Sequence, residues 1–161
     1  MNNSYNGHLC IVFALEHYNP LNMIRAFGES GINPVYISVK RRYEVAIFSK
    51  YISKLHRVDS VEEGFRLLLD EYGNFDSDHK PYIVFSDDKS VGYFDLHYDE
   101  WKGKFIAYNA GKTGRINEFM DKYNIQQLAK KHGFNVLDSY VISKNDDLPK
   151  DLWYPIITKD I

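Results

Sequence analysis

Two carboxylates and two ammonium groups carry most of the chemistry this sequence offers. Asp87 and Asp88 close the apolar run "YIVFSDD", residues 82–88. A strand ending in aspartate can use the carboxylate in an Asx turn that caps the next helix. It can also aim the carboxylate into a cleft, where it orders a substrate or a basic group. Lys122 stands in "MDKYNIQQLAKKHG", at the start of a helical pattern, and Lys159 in the apolar stretch "YPIITKD". The helix macrodipole disfavours a lysine in the first turn by ~0.3–1 kcal/mol unless an anion lies close by. Asp121 can be that anion, and so can a ligand phosphate. Lys130 and Lys131 occupy the last turn of the same pattern, where the dipole favours cations, and need no ligand.

Other chemistries fail on spacing. His8, His17, His56, His79, His97 and His132 form no His-x-x-His or His-Glu-x-x-His pair and have no paired cysteines, which argues against structural zinc; no metal ligand is assigned. "AGKTGR", 110–115, has the end of a P-loop, but position 106, where its first glycine belongs, is Ile inside a strand pattern. A flexible turn is the better reading. The junction "ALEHYNPLN" lacks the Gly-x-Gly-x-x-Gly that lets backbone approach a dinucleotide pyrophosphate. No Ser/His/Asp or Cys/His arrangement can be argued, and no catalytic residue is assigned.

The elements that must position these groups follow from periodicity. "LCIVFA", 9–14, is a continuous apolar run of strand length, as expected of a strand buried on both faces. Asn19-Pro20 suits a helix start, with Leu21, Ile24 and Phe27 at helical spacing. "PVYISV", 34–39, and "LHRVD", 55–59, read as strands, and Ser60 with Glu63 is a capping box opening a helix with Phe65, Leu68 and Leu69 on one stripe. A strand at 82–88, a helical segment between 90 and 102 and a strand "FIAYNA" at 105–110 follow. Alternating strands and helices predict a mainly parallel sheet flanked by helices. Past Gly133 the pattern changes. "VLDSYVI", 136–142, and "YPIITKDI", 154–161, read as two strands with no helix between them, and an apolar last residue suggests the front of a longer protein.

Composition narrows the class. A chain of 161 residues that is 44% hydrophobic and 16% aromatic can bury a core. Twenty basic against 22 acidic residues, net charge −2, give no reason to expect nucleic acid or a membrane surface as partner. No run approaches a membrane span, and the polar "MNNSYNGH" start is no signal peptide. Cys10, the single cysteine, reads as a small buried hydrophobe. A cytoplasmic protein is expected.

The order of these pieces resembles the N-terminal region of ATP-grasp enzymes of the carboxylate–amine ligase and carbamoyl-phosphate synthase type. "NPLNMIRAFGESGINPVYISVK" is similar to that family's first helix and second strand, and "SKYISKLHRVDS" to the approach to its third strand. "YIVFSDD" is similar to a strand whose end carries an aspartate. "MDKYNIQQLAKKHGFNVLDSYVI" resembles its Asp-Lys helix, and "YPIITKD" its lysine-bearing strand. The resemblance implies a Rossmann-like pre-ATP-grasp domain over 1–112, then a helical linker and the first strands of an ATP-grasp domain over 113–161. It implies that Lys122 and Lys159 face the phosphates of ATP, with Mg2+, in the full-length protein. The reaction would activate a small carboxylate as an acyl phosphate for attack by an amine.

Leu137-Asp138 and Asp160 depart from the family's usual residues. The family's glycine-rich loop and metal ligands lie downstream, in the C-terminal ATP-grasp domain that would be this chain's partner. The chain alone is therefore expected to be inactive and to hold no cofactor tightly; a homodimer stays open. Two other classes are carried beside this one: a non-catalytic Rossmann-like binding or assembly module, and the sugar-nucleotide-binding half of a transferase.

Overall fold

The structure is a computed structural model that describes residues 2–75, 77–152 and 154–158. It divides into two compact units, Met1–Ile116 and Asn117–Ile161.

The first unit is an α/β sandwich built on a mainly parallel sheet. Its central strand β2, His8–Leu15, is preceded by the short β1, Ser4–Tyr5, which pairs antiparallel with it. The two-residue connection Asn6-Gly7 has φ of 50° and 85°, the left-handed geometry that a tight hairpin requires and that Asn-Gly supplies at low cost. β3, Val35–Val39, and β4, Lys54–Val58, add on one side of β2; β5, Tyr82–Phe85, and β6, Ile106–Ala107, add on the other. The order is β4-β3-β2-β5-β6, every one of these neighbours parallel.

β2 is apolar throughout because both its faces are covered. Val12 and Ala14 join Ile24 of helix α1, Tyr18–Glu29, together with Tyr36 and Ala46. Ile11, Phe13 and Leu15 point the other way, onto Phe65 and Leu68 of α2, Val61–Tyr72, and Phe94 of α3, Asp88–Leu96. The two-residue period of a strand thus feeds two separate cores. On the second face, Phe94 stands at ring-centroid distances of 4.9 Å from Phe13, 4.9 Å from Phe65 and 4.6 Å from Phe85. α2 approaches so closely that a Cβ on Gly64 would come within 2.8 Å of the Phe13 ring. The short α4, Tyr98–Trp101, buries Trp101, whose indole N–H donates to the Phe94 carbonyl at 2.7 Å.

Local signals set most helix ends. Ser60 caps α2 by accepting from the Glu63 N–H at 3.1 Å, and Glu63 returns a bond from the Asp59 N–H at 2.8 Å. At α1 the cap is His17, whose Nδ1 accepts from the Asn19 N–H, so the helix begins ahead of the Asn-Pro pair and not at it.

The second unit contains most of α5, Arg115–Met120, and all of α6, Lys122–Lys131. Asp121 caps α6 by accepting from the Asn124 N–H at 2.8 Å. The helix stops at Gly133, φ 78°, where the Gly133 N–H donates to the Lys130 carbonyl and that of Phe134 to the Ala129 carbonyl, a Schellman closure.

The strands expected at 136–142 and 154–161 do not form within the described residues; residues 134–142 and 154–158 carry no strand. Leu137 and Ile157 are each 83% exposed. β-branched and aromatic residues favour a strand only when a neighbouring strand supplies hydrogen bonds and cross-strand packing, and neither segment has one among the described residues. The strand read over 105–110 shrinks to the pair Ile106–Ala107 at the sheet edge for the same reason.

Candidate functional site

In an open parallel sheet, ligands bind outside the carboxyl ends of the strands, where successive loops diverge. The divergence in this sheet lies between β2 and β5, because the chain passes from β2 to β3 on one side and later returns to β5 on the other, and the carboxyl edge continues from there across β3. Three features occupy that edge.

The first is a buried carboxylate. Glu16, one residue past β2, is 1% exposed. Its Oε2 accepts from the Tyr36 hydroxyl at 2.5 Å and the Ser38 hydroxyl at 3.0 Å. Its Oε1 accepts backbone N–H groups from Val45 at 2.6 Å, Ala46 and Ile47. Both oxygens are therefore engaged, and Glu16 ties the loop after β3 to the end of β2. Burial, reinforced by the bond to Glu16, pushes the Tyr36 phenol well above its ordinary pKa of 10.0, so it remains a donor.

The second is a cleft of about 440 Å³ between the loops after β2 and β3, lined by Glu16, His17, Tyr18, Arg41, Arg42, Tyr43 and Val45. The cations and anions at the ends of the β3 loop are paired with groups from the β4 side: Lys40 with Asp59 and Glu44 with Arg57, each at 2.6 Å. Arg41 and Arg42 make no ion pair among the described residues. The Arg42 guanidinium stands 5.4 Å from the centre of the Tyr43 ring.

The third is Asp87. One oxygen accepts from the Ser90 N–H at 2.8 Å; the other accepts from the Ser90 hydroxyl at 2.9 Å and from the Leu15 N–H at 2.8 Å. It caps α3 and at the same time ties β5 to the end of β2. Asp88 begins α3 with an exposed side chain, on the end of the helix where the dipole favours an anion. Of the two meanings open to this aspartate pair, the Asx cap describes Asp87.

Lys122 is the first residue of α6 and is exposed, with no ion pair or hydrogen bond among the described residues; it belongs to the second unit. Asp121 beside it is engaged as the cap. Lys159 lies outside the described residues. The structure assigns Lys122 and the two aspartates to different units. It brings together instead Glu16, His17, Arg41 and Arg42, which sequence reasoning passed over. The available signal was "KRRY" directly after a strand, with a glutamate ending an otherwise apolar one. The described residues hold no group of three or more His, Cys, Asp or Glu side chains that could hold a metal ion. Among them no helix is long and apolar enough to cross a membrane.

Compared with protein families, curated proteins and solved structures, the chain matches none.

Proposed function

We propose that the chain is the N-terminal part of an ATP-grasp enzyme of the carboxylate–amine ligase type. The first unit would be its pre-ATP-grasp domain, and the second the approach to its nucleotide site. The observation that carries this reading is the start of α6. After a parallel α/β unit comes a helix headed by Asp-Lys, with the aspartate engaged in the cap and the lysine exposed and without an ion pair among the described residues. Lys122 suits a phosphate contact, because a compact ammonium group on a capped helix is held in place without a bidentate partner. The described residues hold no group of three or more His, Cys, Asp or Glu side chains that could hold a metal ion, and this reading draws the Mg2+ ligands from elsewhere in the enzyme. Bound ATP would supply the phosphoryl group that activates a carboxylate for attack by an amine. The part of Lys122 would be to hold negative charge in position.

The test is ADP release by the protein from the complete reading frame, with Lys122→Ala beside it. The expected result is turnover that requires both a carboxylate and an amine and falls at least about tenfold in the variant, ~1.4 kcal/mol of barrier. Calorimetry of the 161-residue chain with Mg-ATP should give little or no heat. Micromolar binding by the chain alone would contradict a nucleotide site built mostly elsewhere. Unchanged turnover in Lys122→Ala would remove the lysine from it. A complete protein that binds a ligand in the first unit and never consumes ATP would be the non-catalytic module.

A further inference from the structure

The cleft beside β2 has the make-up of an anion site, and three observations narrow what it takes. Its negative wall is already satisfied, since both oxygens of Glu16 are engaged by Tyr36, Ser38 and the N–H groups of 45–47. Its two guanidinium groups, which make no ion pair among the described residues, stand between Lys40 and Glu44, whose charges are matched by Asp59 and Arg57. The loop is held at its far end by Glu16, which accepts from the N–H groups of Val45, Ala46 and Ile47, so Arg41 and Arg42 stand beside an anchored stretch of backbone. Exposed guanidinium forks fit carboxylate or phosphate oxygens two at a time.

The adjacent helix start limits the size of the anion. In a dinucleotide site, a glycine turn and several free helical N–H groups cradle a pyrophosphate. At α1 the turn is Glu16-His17, the Asn19 N–H is taken by His17 and Pro20 has none. Backbone cannot carry a diphosphate here, and the arginines must hold the charge. Beside them stand Tyr18 and Tyr43, 69% and 73% exposed, with the Arg42 guanidinium 5.4 Å from the centre of the Tyr43 ring. A 440 Å³ cleft is the size of a small-metabolite site.

We propose that this cleft binds a small organic anion, a carboxylate or phosphate monoester carried on a ring, with Arg41 and Arg42 holding the anionic group and Tyr18 and Tyr43 covering the ring. The assignment stands whether or not the chain belongs to an ATP-dependent ligase.

The probes are phenyl phosphate and benzoate, with benzyl alcohol as the uncharged control, titrated into the 15N-labelled 161-residue chain. Amide shifts should concentrate at 16–18 and 41–45, and the tighter of the two anions identifies the group recognised. Arg41→Gln with Arg42→Gln should raise Kd at least about tenfold, ~1.4 kcal/mol. Both arginines are exposed and neither makes an ion pair among the described residues, so the double variant should keep a dispersed spectrum. Lys40→Gln, which removes a cation already paired with Asp59, should change Kd less than about twofold. Tyr43→Ala should weaken both ring-bearing anions but not inorganic phosphate. The proposal fails if neither anion moves these amides, if the double arginine variant binds as tightly as the parent, or if benzyl alcohol binds as well as the anions.

Discussion

Between the end of β1 and Ile116, strands and helices hide side chains from solvent on both sides of a sheet; from Asn117 onward none of the described residues is buried. Composition does not explain the contrast. The later segment has Ile125, Leu128, Phe134, Leu137, Val141 and Ile142, all more than a third exposed. Helix-end chemistry does not explain it either, because the Asp121 cap of α6 matches in kind the Ser60 cap of α2. The difference is a second layer. β2 offers alternate residues to two sets of helices, and each apolar side chain finds a partner surface. Caps and propensity shape α6, but only a facing layer turns an apolar stripe into a core.

The sharpest way to break the ordered side of this comparison is at Glu16. Glu16→Ala would leave the Tyr36 and Ser38 hydroxyls and the Ala46 N–H without their acceptor in a buried place, and the Val45 N–H without it in a partly buried one. Each orphaned group costs ~1–3 kcal/mol, and such costs add incompletely; a loss on the order of 3–5 kcal/mol is expected in urea unfolding. A loss below ~1 kcal/mol would mean that the loop after β3 is not held by this carboxylate.

A smaller effect should appear at the sheet edge. His56 on β4 is 9% exposed, and its ring meets the Tyr72 hydroxyl at 2.8 Å, with Glu71 at 3.6 Å and Lys54 nearby. Burial holds its pKa below the ordinary 6.5, against the opposing pull of Glu71. The unfolded chain then binds the proton more readily than the folded one. The contribution of His56 to stability is complete above pH 6.5, and it is lost as pH falls through the lowered folded value. Urea midpoints taken at about pH 7.5 and about pH 5 should fall less in His56→Gln than in the parent. An equal fall in both would place the acid sensitivity elsewhere.

These two residues mark how far the sequence could be read. Runs such as 9–14 and 34–39 fix a buried strand by themselves, and Ser60 with Glu63 fixes a helix start, because those signals act between near neighbours. The Asn6-Gly7 hairpin was equally local and was overlooked. Glu16 is different, since its five donors come from residues 20 to 31 positions away and no local pattern announces them. Asp87 also gains its meaning at a distance, from the Leu15 N–H. The strands expected at 136–142 and over the described part of 154–161 show the opposite case: residue types that suit a sheet, without a neighbouring strand among the described residues.

The smallest effect is expected in the second unit, and it tests the contrast directly. Leu68 on α2 is fully buried, while Leu128 on α6 is 37% exposed, and both are leucines near the middle of a capped helix. Leu68→Ala removes packing inside a core and should cost ~2–5 kcal/mol in urea unfolding of the first unit. Leu128→Ala removes a side chain that no second layer covers, so it should change stability by no more than ~0.5 kcal/mol. Amide exchange along α6 is the matching readout, since global unfolding reports mainly on the sheet. Protection there should be nearly the same in Leu128→Ala and the parent, because the Asp121 cap and the Gly133 closure act through backbone groups that the substitution leaves alone. A loss of protection as large as the one Leu68→Ala produces in α2 would show that α6 has a buried face in solution, and the contrast between the two units would collapse.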